Sequence, residues 1–269
     1  MIRSIAWLAV VSAGAACSRP VRPTSTRLSE RFLALAPGLE PSDDARRELD
    51  RLSELVRRLL SDVEGHPIDA INRIVFDEAG FVREIDADDV RFMQLSAVIS
   101  HRRGSCVGLT QLYLALGERL ELSLRAVLVP GHVFVRHLDD VGHTNAELLR
   151  RGERMPEAWY IEKYAVPMNV DAYLTSLTGD EAVAVVRYNL GNAERKRRNL
   201  DAALRHYTAA VRLFDGFPEA HASRGLTFQL RGDLDAAAVA YQRARSLHPT
   251  LPGLERNIAA LAAEGGAAR

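Results

Sequence analysis

The chain has 269 residues, 35 Lys plus Arg against 35 Asp plus Glu, 47% apolar residues and two cysteines, Cys17 and Cys106. At about 150 residues per domain this allows one or two domains with cores that need no staples, and it excludes disorder as the main state. A formal net charge of zero gives no overall field towards nucleic acid, so no nucleic-acid partner is expected, and two widely spaced cysteines exclude a Cys-rich zinc site or a disulfide framework.

The first residues, MIRSIAWLAVVSAGAACSRP, carry one positive charge at Arg3 and then an uncharged stretch from Ser4 to Ala16. That run is shorter than the roughly 20 residues a spanning helix needs, and small residues replace large ones towards its end, so residues 1–16 read as a secretory signal peptide. Gly14-Ala15-Ala16-Cys17 resembles the lipobox of bacterial lipoproteins, with Gly14 where those usually carry leucine. The resemblance implies a lipid on Cys17. With Ser18 rather than Asp after the cysteine, it also implies a place in the cell envelope, on the periplasmic face of the outer membrane. An ordinary signal peptide cut at the same place is the alternative. Each buried methylene contributes about 0.8 kcal/mol, so several acyl chains would hold the protein at a membrane. Residues 17–40 then form anchor and tether, the stretch SRPVRPTST being dense in proline, serine and threonine.

Next come three helices. Leu49, Leu52, Leu55, Val56 and Leu59 lie at helical spacing between Asp43 and Leu60 behind a Ser42-Asp43 cap. Helices are expected at Pro67 to Ala79, closed by Gly80, and at Asp88 to Ser100, burying Phe92, Leu95, Val98 and Ile99. The sequence HRRGSC then enters VGLTQLYLALGERL, whose apolar positions Leu109, Leu112, Tyr113 and Leu116 place Cys106 in the first turn of a helix. Unpaired N–H groups there favour a thiolate and offer hydrogen bonds to a developing oxyanion. Beyond it the period changes to that of strands. Leu124–Val129 and His132–Arg136 form a hairpin through Pro130-Gly131, with His132, Phe134 and Arg136 on one face and Val133 and Val135 on the other. A third extended segment from His143 to Glu147 pairs alongside and brings Asn145 or Glu147 near the imidazole. A cysteine nucleophile needs a base within about 3 Å, and the base needs an acceptor that fixes its tautomer.

This order resembles the transglutaminase-like cysteine enzymes, and specifically the SirB N-terminal type, over Pro67 to Tyr164: INRIVFDEAGF, RRGSCVGLTQLYLALGERL and VPGHVFVRH carry the likeness. The resemblance implies an α+β, papain-like core over residues 41–168, with N-terminal helices and a small antiparallel sheet. It further implies Cys106 as nucleophile, His132 as general base and Glu147 as the acidic third member, with Asn145 as the other group able to orient the histidine. The family's Asp-Pro-Thr-like motif is absent. His101 and His143 lack metal-ligand spacing with Asp139 or Asp140, so no metal is expected, and a thiol–imidazole pair needs no cofactor.

Residues 169–269 repeat with a period of 34: Gly191 matches Gly225, Ala203 matches Ala237, Tyr207 matches Tyr241 and Ala210 matches Ala244. The units resemble tetratricopeptide repeats, with Pro249 as closing proline and a capping helix after Pro252. The resemblance implies an all-α segment that packs on the preceding domain or binds a protein partner. The run Arg195-Lys196-Arg197-Arg198 falls in an inter-helix turn and reads as solvated charge. The expected protein is an envelope-anchored cysteine hydrolase or acyl transferase acting on an amide or peptide bond of a peptide or protein substrate. The alternative is a catalytically silent lipoprotein scaffold that binds its partner through the repeats.

Overall fold

The computed structural model describes residues 27–35, 43–62, 65–84 and 89–267; the signal stretch, Cys17 and Ser18 to Thr26 lie outside them. Residues expected to belong to the tether instead enter the core. Helix α1 (Leu28–Leu33) buries Phe32 and Leu33, and Glu118 accepts the backbone N–H groups of Leu28 and Ser29 at 2.6 and 3.1 Å. Helix α2 (Asp43–Asp62) buries Leu49, Leu52 and Val56, as its spacing requires.

The next two expected helices are not continuous. Pro67–Asn72 is an α-helix (α3), but Arg73–Glu78 widens into a π-turn before Gly80, whose positive φ of 71° ends it. Val82–Arg83 (β1) then pairs in parallel with Arg103–Gly104 (β2). The expected helix from Asp88 to Ser100 breaks at Gln94, which is extended (φ −113°, ψ 126°) between a 3₁₀ turn at Val90–Met93 and α4 (Leu95–His101). The break has a tertiary cause. It presents the Phe92 carbonyl to the Ser105 N–H at 2.9 Å and to the Ser105 hydroxyl at 3.0 Å. Helix α5 (Cys106–Leu120) begins there, nearly all of it buried.

An antiparallel sheet follows in the order β3 (Leu124–Val129), β4 (His132–Asp139), β5 (Gly142–Glu147) and β6 (Glu153–Arg154). Pro130-Gly131 makes the first turn, with Gly131 at φ 69°. The second is pinned by the Asp139 carboxylate, which accepts the N–H groups of Val141 and Gly142 at 3.0 and 2.9 Å. Six consecutive residues of β4 are buried, so both sheet faces are covered: α5 packs on the sheet, and a short helix α6 (Glu157–Tyr164) stacks Tyr160 on Phe134 with ring centroids 3.7 Å apart.

Two helical hairpins and a last helix complete the α+β fold: α7 (Gly179–Lys196), α8 (Leu200–Leu213), α9 (Pro218–Arg231), α10 (Leu234–Leu247) and α11 (Leu254–Ala267). Thr178 and Glu181 form a capping box that starts α7. Gly191 lies against the Tyr207 ring and Gly225 against that of Tyr241; a Cβ at either glycine would come within 2.7 Å of the ring. Ala203, Ala210, Ala237 and Ala244 are buried between the helices, and Pro249 lies exposed in the turn after α10. One core runs from Phe32 through α7 to Ala220, whereas Ala237, Tyr241, Ala244 and Leu254 form a second, small one. Among the described residues no helix is long and apolar enough to cross a membrane.

Candidate functional site

Cys106 is the first residue of α5, and its neighbours hold that helix end in place. The Ser105 side chain caps the helix by accepting the Gly108 N–H at 3.3 Å while donating to Phe92. Gly108 is fixed by close approach, because a Cβ there would lie 2.2 Å from the Phe92 carbonyl oxygen. With the Gly108 and Leu109 amides engaged by Ser105, those of Cys106 and Val107 have no partner among the described residues. Both residues line the adjoining cavity, so these amides are placed to receive negative charge on an oxygen beside the sulfur.

His132 opens β4, is buried, and shares its Nε2 with Glu147 Oε2 at 2.8 Å. The sheet register explains the choice of partner. Arg136 lies opposite Asn145 and Val135 opposite Ala146, which carries Glu147 across from Phe134, on the same face as His132 and diagonal to it. Glu147 is fixed by its second oxygen, which accepts the Leu149 N–H at 3.0 Å. Asn145, on the same face, is not brought to the imidazole: its Oδ1 accepts from Arg136 Nε at 2.8 Å. The buried Arg136 also reaches the Leu174 carbonyl at 2.9 Å and Glu157 at 2.5 Å, tying β4 to the start of α6.

With Nε2 occupied by Glu147, the other ring nitrogen is the one left to meet Cys106. Burial is the largest influence on the imidazole and lowers its proton affinity. Hydrogen bonding to Cys106 and to Glu147, with their charges, outweighs it and raises the His132 pKa to about 9. The ring therefore favours its protonated form at neutral pH, between the Cys106 sulfur on one side and the Glu147 side chain on the other. Tyr164 lies parallel to it, ring centroids 4.8 Å apart. Burial, followed by the charges of Glu147 and Cys106, pushes the Tyr164 hydroxyl well above its ordinary range, so it stays a neutral donor.

The pair faces a cavity of about 200 Å³. Cys106, Gly131 and His132 line one side, and Tyr188, Asn189 and Glu219 from the helical hairpins line the other. The sequence reading missed both Tyr164 and this second wall. Trp159, Tyr160 and Tyr164 in one short segment were the signal for the former; nothing local marked Glu219.

Among the described residues, His66, His137 and Asp139 offer ligand atoms within 4.8 Å of one another. They do not suit a metal as they stand. His66 Nδ1 accepts the Ile68 N–H at 3.2 Å, which leaves the hydrogen of the neutral ring on Nε2, where a ligand needs a lone pair. His101 is exposed, and His143 reaches Glu157 at 4.0 Å.

A thiol at a helix N terminus, an imidazole on the neighbouring strand and a carboxylate on the next make this an α+β protein with a cysteine-centred site. Residues 43–209 match the model of the transglutaminase-like superfamily, more than half of the chain, and the chain belongs to that superfamily, which includes cysteine-based enzymes. No curated protein matches it. Among solved structures it is similar to menin, in a crystal structure described as revealing the binding site for the Mixed Lineage Leukemia (MLL) protein. That similarity has a TM-score of 0.42 at 12% identity over 81% of this chain, and this chain spans 62% of the menin chain.

Proposed function

We propose that the protein is a cysteine hydrolase or acyl transferase that attacks an amide or peptide bond with Cys106. The observation that carries the reading is the buried His132, held between the Cys106 thiol and the Glu147 carboxylate at the edge of an open cavity. Its proton affinity assigns the roles. At neutral pH the imidazolium already holds the proton, so the sulfur adds to the carbonyl carbon as a thiolate, and His132 gives its proton to the departing amine as the C–N bond breaks. The amides of Cys106 and Val107 take the oxyanion. Water, deprotonated by the now neutral His132, then releases the acyl group as an acid; an amine in its place gives transfer.

The likeness to the SirB type, the reading of the two hairpins as tetratricopeptide repeats, and a lipid on Cys17 that fixes the protein in the cell envelope belong to the same proposal. The 34-residue repeat and the glycine–tyrosine packing support the second; Gly14-Ala15-Ala16-Cys17 supports the third.

The test is alkylation of Cys106 by iodoacetamide between pH 6 and 7, where an ordinary thiol is mostly protonated. Reaction faster than free cysteine is expected, with His132→Ala reducing it and Cys106→Ala abolishing it. A rate no faster than free cysteine overturns the enzyme reading in favour of a silent scaffold. Palmitate labelling lost in Cys17→Ser is expected for the anchor; a secreted, unlabelled protein overturns it.

A further inference from the structure

The wall of the cavity opposite Cys106 is built by a different part of the chain and has its own chemistry. Glu219, at the start of α9, is half-buried as a residue; its Oε1 accepts the Tyr173 hydroxyl at 2.5 Å. Its Oε2 is shut off from solvent and has no hydrogen-bond partner among the described residues. An unpaired buried oxygen of this kind is costly, so it calls for a reason. The neighbouring side-chain amides are already engaged. Asn189 Nδ2 donates to the Val185 carbonyl at 2.8 Å, and Asn192 accepts the Tyr207 hydroxyl at 2.7 Å and also meets the Tyr188 hydroxyl. What the wall has left for a ligand is oxygen: Glu219 Oε2 and the side-chain oxygen of Asn189. Among the described residues no lysine or arginine lines the cavity.

We propose that this wall is a subsite for a primary ammonium group, received by Asn189 Oδ1 and by Glu219 Oε2, which turns out of its buried position to meet the charge, so that the centre acts on substrates carrying such a group beside the amide bond attacked. The inference rests on the reading of Cys106 as nucleophile. An ammonium brings three donors and a positive charge to two acceptors, whereas an anion would meet a buried acid with no cation to offset it. Burial raises the Glu219 pKa, against the pull of the Tyr173 hydroxyl and its own backbone amide. An arriving cation opposes that rise, because a neighbouring opposite charge favours the ionised form. Glu219 is in this account a specificity residue, separate from the atoms that react.

The experiment compares modification rates of Cys106 at pH 7 by three methanethiosulfonates: 2-aminoethyl (cationic), methyl (neutral) and 2-sulfonatoethyl (anionic). It uses the full chain carrying Cys17→Ser, so that Cys106 is the single thiol. The cationic-to-neutral rate ratio is expected to exceed that of free cysteine about tenfold, which corresponds to about 1.4 kcal/mol. Glu219→Gln, which keeps an acceptor for Tyr173, should bring the ratio down to that of free cysteine and raise the anionic-to-neutral ratio. General damage to the site would move all three rates together. A wild-type ratio equal to that of free cysteine, or a ratio unchanged in Glu219→Gln, overturns the subsite. The neutral reagent alone reads the nucleophile: if it modifies Cys106 no faster than free cysteine, the proposed enzyme fails while the ratio still reports on Glu219.

Discussion

The helical hairpins use one backbone twice, and the transglutaminase-like body uses nothing twice. Asn199 and Asp233 enter their helices at φ/ψ of −85°/72° and −85°/70°, and Phe214 and His248 leave theirs at −144°/82° and −146°/89°. In the body, by contrast, a π-turn, a 3₁₀ turn and a break at Gln94 interrupt the helices. Arg102, Glu121, Arg151, Ala165 and Leu174 all take positive φ there, against Arg198 alone among the non-glycine residues described in the hairpins. Regular geometry suffices to build a wall. Bringing a helix start, a strand start and a strand end to one point requires chain directions that regular elements do not supply, and hydrogen bonds between distant segments hold those directions.

The largest effect is expected from Gly108→Ala, in the body. Its methyl would collide with the Phe92 carbonyl, a backbone group that cannot move without releasing Ser105, so a loss above about 3 kcal/mol in denaturant unfolding is expected, together with slower Cys106 alkylation. In the hairpins the same change meets an aromatic ring. Gly191→Ala and Gly225→Ala should each cost about 2 kcal/mol. Only the former should disturb the cavity, because Tyr207 bonds Asn192 in its wall and Tyr241 lies in the separate second core. If Gly225→Ala slows alkylation as much as Gly191→Ala, the division between the cores is wrong.

A further effect is expected from pH. The folded state raises the His132 pKa from the ordinary 6.5 to about 9, so the stability it contributes is fully present below about 6.5 and fades as pH rises to about 9. The loss, on the order of 3 kcal/mol, should show in unfolding free energies and be absent in His132→Gln. By NMR titration, Glu147→Gln should bring the His132 pKa down, whereas Asn145→Ala should leave it in place while loosening Arg136. Equal shifts in the two variants would refute the register argument. Smallest of all, Pro249→Ala, exposed in its turn, should change stability by less than about 0.5 kcal/mol.

The same contrast explains what could be read from the sequence. The hairpins, α2, the start of α5 at Cys106 and the turn at Pro130-Gly131 follow from local periodicity and turn chemistry, and all stand where the spacing puts them. The break at Gln94 does not, because its cause is Ser105, in another segment. Alternation along β5 puts Asn145 and Glu147 on one face and cannot choose between them; the Asp139 turn sets the register and thereby chooses. Helix α6 spans only Glu157–Tyr164, too few turns for a periodic signal, although it covers His132. Glu219 reaches the site through tertiary packing alone.

The family match ends at residue 209, whereas Phe217 and Glu219, which line the far side of the cavity, lie beyond it. The groups around the sulfur lie inside the match, and the groups facing them divide, Tyr188 and Asn189 falling within it and Phe217 and Glu219 beyond it. Exchanging the last hairpin for another with the same glycine–tyrosine seam would change what the cavity touches and leave Cys106, His132 and Glu147 where they are. A fold arranged in this way can be retargeted by grafting rather than by rebuilding.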